Sequence, residues 1–329
     1  MSATTERLLG LLADGGQHSG EELAARLGVT RATVWNAVGD LRAKGIEIIS
    51  IDRRGYRLPE RVELLDLKAM RRAAPEGAAL PDDVEIAFEL ESTNSRLFDE
   101  LPARAPRVLL AELQTAGRGR RGRQWIAPFG SGLTFSSAWS YAETPADLQA
   151  LTLAIGVAVA SALHELGAHD VGLKWPNDLV TVRGKLGGLL TQLRHEPGGP
   201  AYVVTGLGLN LRLPERSRAR IDALGGLVPT DLAASVDPLP GRNAIAALLI
   251  VRMTEALGRF GHTGFAPLIE AWNRIDALAG RRVRVQQADG WIDGVARGVD
   301  PDGALVIESA GQRTRVHSGD VSVRVDAAQ

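Results

Sequence analysis

The densest chemical signal in the chain is the run Gln114-Thr115-Ala116-Gly117-Arg118-Gly119-Arg120-Arg121-Gly122-Arg123-Gln124-Trp125. Four arginines fall within six residues, and no acid occurs between Gln114 and Phe129. Arginine grips a phosphate through two N–H groups at once, and glycine lets a backbone approach a ligand closely. A solvated loop and a second nucleic-acid surface are the competing readings. Glycine interleaving does little for a merely solvated loop, so phosphate binding is preferred. The run also satisfies G-x-G-x-x-G, but Trp125-Ile126-Ala127-Pro128-Phe129-Gly130 leads to a strand rather than a helix, which sets the dinucleotide fingerprint aside. Further on come Lys174-Trp175-Pro176-Asn177-Asp178 and Arg183-Gly184-Lys185-Leu186-Gly187-Gly188. A lysine between glycines can sit against a ligand unhindered. As a cationic donor in a closed site it stabilises charge on a transferring phosphorus, worth about 3 kcal/mol. Taken alone it reads as a hairpin turn carrying a solvated lysine. Both motifs mark strand ends, so one pocket can hold them. Ser92-Thr93-Asn94 caps a helix over Ser95–Leu101 or presents its hydroxyls to a polar ligand head. Gly206-Leu207-Gly208-Leu209-Asn210 offers backbone on which a flat ligand can lie.

Other chemistries are excluded by what is missing. No HExxH, G-x-S-x-G or Walker A pattern occurs, which removes zincin, serine-hydrolase and P-loop readings. The absence of cysteine removes thiol nucleophiles, disulfides and zinc-thiolate sites. With 45% apolar and 23% charged residues the composition is globular, and 38 basic against 39 acidic side chains give no bulk pull on a polyanion. Four of the basic residues are lysine, at 44, 68, 174 and 185. MSATTERLLG has no secretory pattern, and Leu151–Leu163 is short for a bilayer span, so a cytoplasmic protein without membrane attachment is expected.

The elements that must position these residues fall into four segments. Residues 1–60 read as three helices closed by a hairpin, with Leu8, Leu9, Leu11 and Leu12 on the first. Ser19–Glu22 is a capping box for the second, and Thr30 caps a third with apolar Ala32, Val34, Val38 and Leu41. Ile46–Ile51 and Tyr56–Leu58 are the hairpin strands. Ala24, Gly28 and Val34 have helix-turn-helix spacing, so Gly20–Gly39 is expected to bind DNA through Arg31 and Thr33, with Arg53 and Arg54 on a wing. Arg26 to Arg57 holds seven basic residues against three acids; the bland alternative is a helical hairpin packed on the rest of the chain. Residues 61–80 read as a helix and linker. Residues 81–275 alternate strands (Val84–Glu89, Val108–Gln114, Gly132–Ser137, Val171–Lys174, Asp178–Val182, Lys185–Leu193, Ala201–Leu211) with helices (Leu148–Leu166, Arg242–Gly258, Phe265–Ile275). Residues 276–329 carry short strands near 283, 291, 304, 313 and 321 with Asp/Gly turns, as in a small β-barrel. The fold class is α+β multidomain.

Ser92-Thr93-Asn94, Gln114, the glycine–arginine run, Lys174–Asp178 and Gly184–Gly188 together resemble biotin–protein ligase. The winged helix-turn-helix in front and the SH3-like β domain behind match its bifunctional form, which also represses the biotin operon. The resemblance implies a central mixed-sheet domain of biotin/lipoate-ligase type. There biotin and ATP, with Mg²⁺ whose ligands are not assigned, give biotinyl-5′-AMP, and a lysine of the biotin carboxyl carrier protein of acetyl-CoA carboxylase then displaces AMP. It further implies Lys185, Arg118 and Arg120 as catalytic. Ser92, Thr93, Asn94, Gln114, Gly117, Arg118, Gly119, Arg120, Trp125, Lys185, Gly188, Leu190 and Gly206 are implied about biotin, and Arg118, Arg120, Arg121, Asn177, Lys185 and Asn210 about ATP or the adenylate. Operator DNA and an adenylate-bound homodimer follow from the same likeness. Pro214–Ala233 corresponds to the adenylate-binding loop, where some repressors pack a tryptophan on adenine. Here Ala223-Leu224-Gly225-Gly226-Leu227-Val228 has no aromatic. A lipoate–protein ligase, a ligase that has lost DNA binding and a non-catalytic ligand-sensing regulator are the rival readings.

Overall fold

In a computed structural model, which describes residues 1–52, 54–102, 106–195, 199–287, 290–317 and 319–323, the N-terminal helices are α1 (Ala3–Leu12), α2 (Gly20–Leu27) and α3 (Arg31–Ala43). Their order is set by caps. Ser19 Oγ accepts from the Glu22 N–H at 3.0 Å, Thr30 Oγ1 from the Thr33 N–H at 3.2 Å, and Gly28 ends α2 in the left-handed region at φ 70°. The capping box is only half formed, because the Glu22 carboxylate turns to His18 Nδ1 at 3.3 Å. Leu8, Leu9, Leu12, Leu23, Val34, Val38 and Leu41 make the core of this unit, whereas Leu11 is only half-buried. Ala32 is exposed and Ala37 takes the core position expected of it, one α-helical face being Val34, Ala37, Val38 and Leu41. Strands β1 (Ile49–Ile51) and β2 (Gly55–Arg57) form the wing. The first is shorter than expected, because the Arg42 guanidinium takes the Ile48 carbonyl at 2.6 Å and Ile46 and Ile48 pack inward instead of pairing. His18 forms an isolated antiparallel bridge with Tyr56 beside the two-stranded wing, and a Cβ at Gly55 would collide with the His18 carbonyl.

Residues 61–80 hold α4 (Leu67–Ala73), capped by Asp66, and this segment is tied down rather than free. The Glu63 carboxylate accepts from the backbone N–H groups of Arg242 and Asn243, and Asn243 Oδ1 accepts from the Asp66 N–H at 2.8 Å. Leu65 N–H and Arg242 Nη1 both donate to Glu112, closing a buried polar knot.

The central sheet consists of β3 (Asp83–Leu90), β4 (Arg107–Gln114), β5 (Gly132–Tyr141), β6 (Gly172–Lys174), β7 (Asp178–Thr181), β8 (Gly184–His195) and β9 (Ala201–Asn210). Their order is β3-β4-β5-β9-β8-β7-β6, with β3 and β4 parallel and every other pair antiparallel. α5 (Thr93–Asp99) covers one face. α6 (Leu151–Glu165) and α8 (Arg242–Thr263) pack on the other, with α7 (Glu215–Asp222) peripheral and α9 (Ile269–Arg274) leading out. The helix expected to stop at Gly258 runs on to Thr263, since Gly258 serves to admit the Trp139 ring at 3.5 Å; it ends at Gly264, φ 63°. The helix expected over Phe265–Ile275 opens with a 3₁₀ turn, Ala266–Leu268, around Pro267. Leu148–Glu165 is apolar and long enough for a membrane span by composition, and two-thirds of it is buried against the sheet and α8.

The C-terminal unit is an antiparallel sheet of β10 (Arg282–Gln287), β11 (Gly290–Val299), β12 (Leu305–Ser309), β13 (Gln312–Val316) and β14 (Asp320–Val323), ordered β13-β12-β11-β10-β14. Trp175, 2% exposed, anchors it by donating Nε1–H to the Gly303 carbonyl at 3.0 Å.

Candidate functional site

Strand parity decides which residues can meet. On β8 and β9, Leu189, Leu207 and Leu209 point into the core beneath α6 and α8, so Gly188, Leu190, Gly206 and Gly208 lie on the opposite face. Gly188 opposes Gly208 and Leu190 opposes Gly206, which leaves a shallow floor flanked by Thr134 and Ser136 of β5. Over it stand the N-terminus of α5, the arginine–glycine loop and the Pro214–Ala233 segment. They enclose a cavity of about 1270 Å³.

At one end, Gln114 Oε1 accepts from the Thr93 N–H at 2.7 Å and from Thr93 Oγ1 at 3.2 Å, and Thr93 Oγ1 also meets Ser136 Oγ at 2.8 Å. Asn94 Nδ2 donates to the Leu190 carbonyl at 2.7 Å. Ser92 is the N-cap of α5, accepting from the Ser95 N–H at 3.4 Å, and also lines the cavity. Two buried polar atoms here, Asn94 Oδ1 and Trp125 Nε1, have no hydrogen-bond partner among the described residues. Such atoms are costly unless a ligand satisfies them.

The arginine loop is a tight turn. Gly119 N–H donates to the Arg123 carbonyl at 2.7 Å, Trp125 N–H to the Gly117 carbonyl at 2.9 Å, and Arg120–Gly122 is a single 3₁₀ turn with Arg121 at φ 55°. No α-helix follows before β5, as required for rejecting the dinucleotide fingerprint. Arg118, Gly119, Arg120 and Trp125 line the cavity; Gly117 and Arg121 do not. Gly117 is there for the loop itself, since a Cβ would meet the Trp125 carbonyl at 2.5 Å. The flat group lying on Gly208 is the protein's own Trp125 indole: a Cβ there would fall 2.6 and 2.8 Å from ring atoms Nε1 and Cζ2.

The lysine motif meets this loop on the same face of the sheet, Lys185 Nζ lying beside Gly188. Arg120 Nη1 donates to Asn177 Oδ1 at 3.4 Å, and Lys185 Nζ stands 5.9 Å from the Trp125 ring centroid. Lys185 also contacts Asp178 Oδ1 at 2.6 Å, a partner to which the sequence reading gave no role. The β7–β8 ladder carries a bulge between Leu179 and Val180, which brings these two side chains to one place. Register across a bulge is not written in local sequence. The Pro214–Ala233 segment docks along the same strand: Lys185 N–H donates to the Val228 carbonyl at 2.8 Å and Thr230 N–H to the Lys185 carbonyl at 2.9 Å. Asn210 Nδ2 holds the Thr230 carbonyl at 3.0 Å. Leu224, Leu227 and Val228 stay 40–60% exposed at the cavity wall. Asp276 lines the C-terminal side. Burial raises its carboxyl to about 6, although Oδ1 accepts from the Leu278 N–H at 2.8 Å. No group of three His, Asp or Glu side chains suited to a metal occurs among the described residues. A Mg²⁺ ion held by one carboxylate and nucleotide phosphates does not require one.

In the N-terminal unit, Arg31 and Arg54 are exposed, while Thr33 is half-buried and its hydroxyl meets that of Thr30 at 2.9 Å; Arg53 lies outside the described residues. The basic excess is smaller than its count. Arg42 and Arg57 are turned onto backbone carbonyls, and Lys44 pairs with Glu89 of β3, which also takes the Met1 amine at 2.8 Å. Glu47, just after α3, pairs with Arg216 of α7.

Residues 87–210 match the Biotin/lipoate A/B protein ligase family, residues 4–57 an HTH domain and residues 279–324 the Biotin protein ligase C terminal domain. The chain is 36% identical to the bifunctional ligase/repressor BirA of Salmonella typhimurium over 96% of both chains. It is 32% identical to the biotin–[acetyl-CoA-carboxylase] ligase of Mycobacterium tuberculosis over 72% of this chain and 88% of that protein. Among solved structures, biotin protein ligase from Aquifex aeolicus in complex with biotin and ATP aligns with a TM-score of 0.62 at 26% identity. It covers 74% of this chain and 99% of that one.

Proposed function

The chain belongs to the family of biotin–protein ligases and within it resembles the bifunctional ligase/repressors, and from this we propose how its residues divide the work. Biotin's ureido head lies on the Gly188–Gly206 floor, bonded to Ser92, Thr93 and Gln114 and to the orphaned Asn94 Oδ1. Its carboxylate points to Lys185. ATP enters between Asn177, Asn210 and the Leu224–Val228 wall. A carboxylate oxygen attacks the α-phosphorus and pyrophosphate leaves, giving biotinyl-5′-AMP. In the second step an uncharged lysine amine of the carboxyl carrier protein attacks the acyl carbon, and AMP leaves with the bridging oxygen while the new amide loses a proton. Lys185 and Arg120 neutralise the phosphate in both steps, Arg118 closes over it, and Mg²⁺ accompanies the nucleotide. The single observation that carries this reading is the meeting of Lys185 with Trp125 on one face of the sheet, 5.9 Å from centroid to ammonium. It supports a single site built from the lysine motif and the arginine loop.

The adenylate-loaded protein is proposed to dimerise in the cytoplasm and to hold operator DNA with two winged helices, the adenylate acting as corepressor. Biotin-dependent ATP–pyrophosphate exchange tests the chemistry, with lipoate as control and Lys185→Ala alongside. Exchange with biotin alone, lost in the variant, is expected. Exchange with lipoate instead overturns the substrate. Arg120→Gly is expected to shorten adenylate retention and weaken dimerisation together; unchanged retention overturns the role given to that loop.

A further inference from the structure

The exposed face of α3 carries a stripe made of Arg31, Ala32, Trp35, Asn36 and Gly39. These are positions i, i+1, i+4, i+5 and i+8, so they form one continuous strip opposite the buried Val34–Ala37–Val38–Leu41 face. Two features of the strip have no cause inside the molecule. Trp35 is 68% exposed, although a tryptophan gains most from burial. Gly39 lies in the helix interior, where glycine is less stable than alanine, and yet nothing stands within 4 Å of the Cβ it lacks. No contact within the molecule accounts for either residue.

The second helix of a helix-turn-helix unit lies in the DNA major groove with its N-terminal residues toward base edges. Trp35 is one turn past the Thr30 cap, so it falls in that contacting half. The half of the strip that holds Trp35 carries Arg31 and no acid, which suits a polyanion; the exposed Asp40 continues the strip beside Gly39 at its C-terminal end. Arg42, Lys44 and Arg57 are engaged by carbonyls and a carboxylate of the protein itself, which leaves Arg31 and Arg54 among the described residues exposed toward phosphates. Phosphate contacts position a protein without reading sequence, so direct discrimination comes from base edges. In the major groove the apolar feature available to an indole is the thymine C5-methyl.

We propose that Trp35 packs on a thymine methyl in each operator half-site and that Gly39 lets α3 sit deep enough in the groove for this contact. The proposal rests on the operator-binding reading above.

The test uses the full chain with biotin and ATP. Duplexes are selected from a random library with the unaltered protein, and each thymine of the recovered site is then replaced by deoxyuridine, which lacks only the methyl. One position per half-site is expected to weaken binding roughly four-fold when its methyl is removed, the worth of about one buried carbon. Trp35→Ala is expected to bind the unmodified site at least tenfold more weakly, to ignore the deoxyuridine replacement, and to keep its weak binding to unrelated DNA. Gly39→Ala is expected to leave the thermal midpoint unchanged or raise it while specific binding falls. That combination does not arise from a structural role. The proposal is overturned if Trp35→Ala recovers the same site with unchanged affinity, or if the deoxyuridine penalty persists in it. It is also overturned if the variant loses self-association in the absence of DNA, which would make Trp35 a protein contact. Failure of the unaltered protein to enrich any sequence would instead remove the operator reading, and this inference with it.

Discussion

Lys185 Nζ and Asp178 Oδ1 lie 2.6 Å apart on adjacent strands, brought together by a bulge in the ladder between them. The carboxylate fixes an ammonium that would otherwise sample many rotamers, and it does so beside the Trp125 ring. Lys185→Ala should lower the adenylation rate by about 10²–10³. Asp178→Asn keeps an acceptor but loses the charge. It should lower kcat by about tenfold with a smaller change in the biotin KM, the mark of an interaction that matters more in the transition state. Steady-state exchange kinetics check both, and an unchanged kcat in Asp178→Asn would count against a positioning role.

The floor under Trp125 is as specific as the ring. Gly208→Ala places a methyl within 2.6–2.8 Å of indole atoms, and the ring must lift. Biotin affinity should fall by at least tenfold while the thermal midpoint changes little, since the indole can tip into the cavity. Isothermal titration with biotin measures the first and calorimetry the second.

Gly184 sits at φ 140°, and any Cβ there collides with the Val228 carbonyl. Gly184→Ala should detach the loop from Lys185 and speed the release of preformed adenylate, with adenylation itself less affected. Chase experiments with labelled adenylate would show a shortened lifetime; an unchanged one would mean that the loop is held elsewhere.

Asp276 gives a pH signature of definite sign. Burial raises its carboxyl from 3.8 to about 6, so between these values the native state holds a proton that the unfolded state has lost. Stability contributed by this group therefore declines as pH rises through that window. Asp276→Asn should raise stability by up to about 3 kcal/mol above pH 7 and change little below pH 4. Urea unfolding at pH 4 and pH 8 checks the difference.

Much of this was legible along the chain because it depends on neighbours in sequence. Ser19, Gly28 and Thr30 mark helix ends by local hydrogen bonding and φ, and the seven central strands follow alternation and turn residues to within a few positions. The arginine loop and the lysine turn were equally visible, since their chemistry resides in composition. Tertiary structure alone decided the pairings between distant segments. Glu63 caps α8, whose N-cap residue Gly241 has no side chain to do so, and Glu112 is buried with Arg242 paired to it. Whether a basic residue is available to a ligand depends on which carbonyl or carboxylate folding brings to it, as Arg42 and Lys44 illustrate. Asp178 becomes the partner of Lys185 through a one-residue bulge, and Gly208 receives Trp125 from a loop about eighty residues earlier. Sequence sets which groups can interact; strand register and close packing determine which of them do.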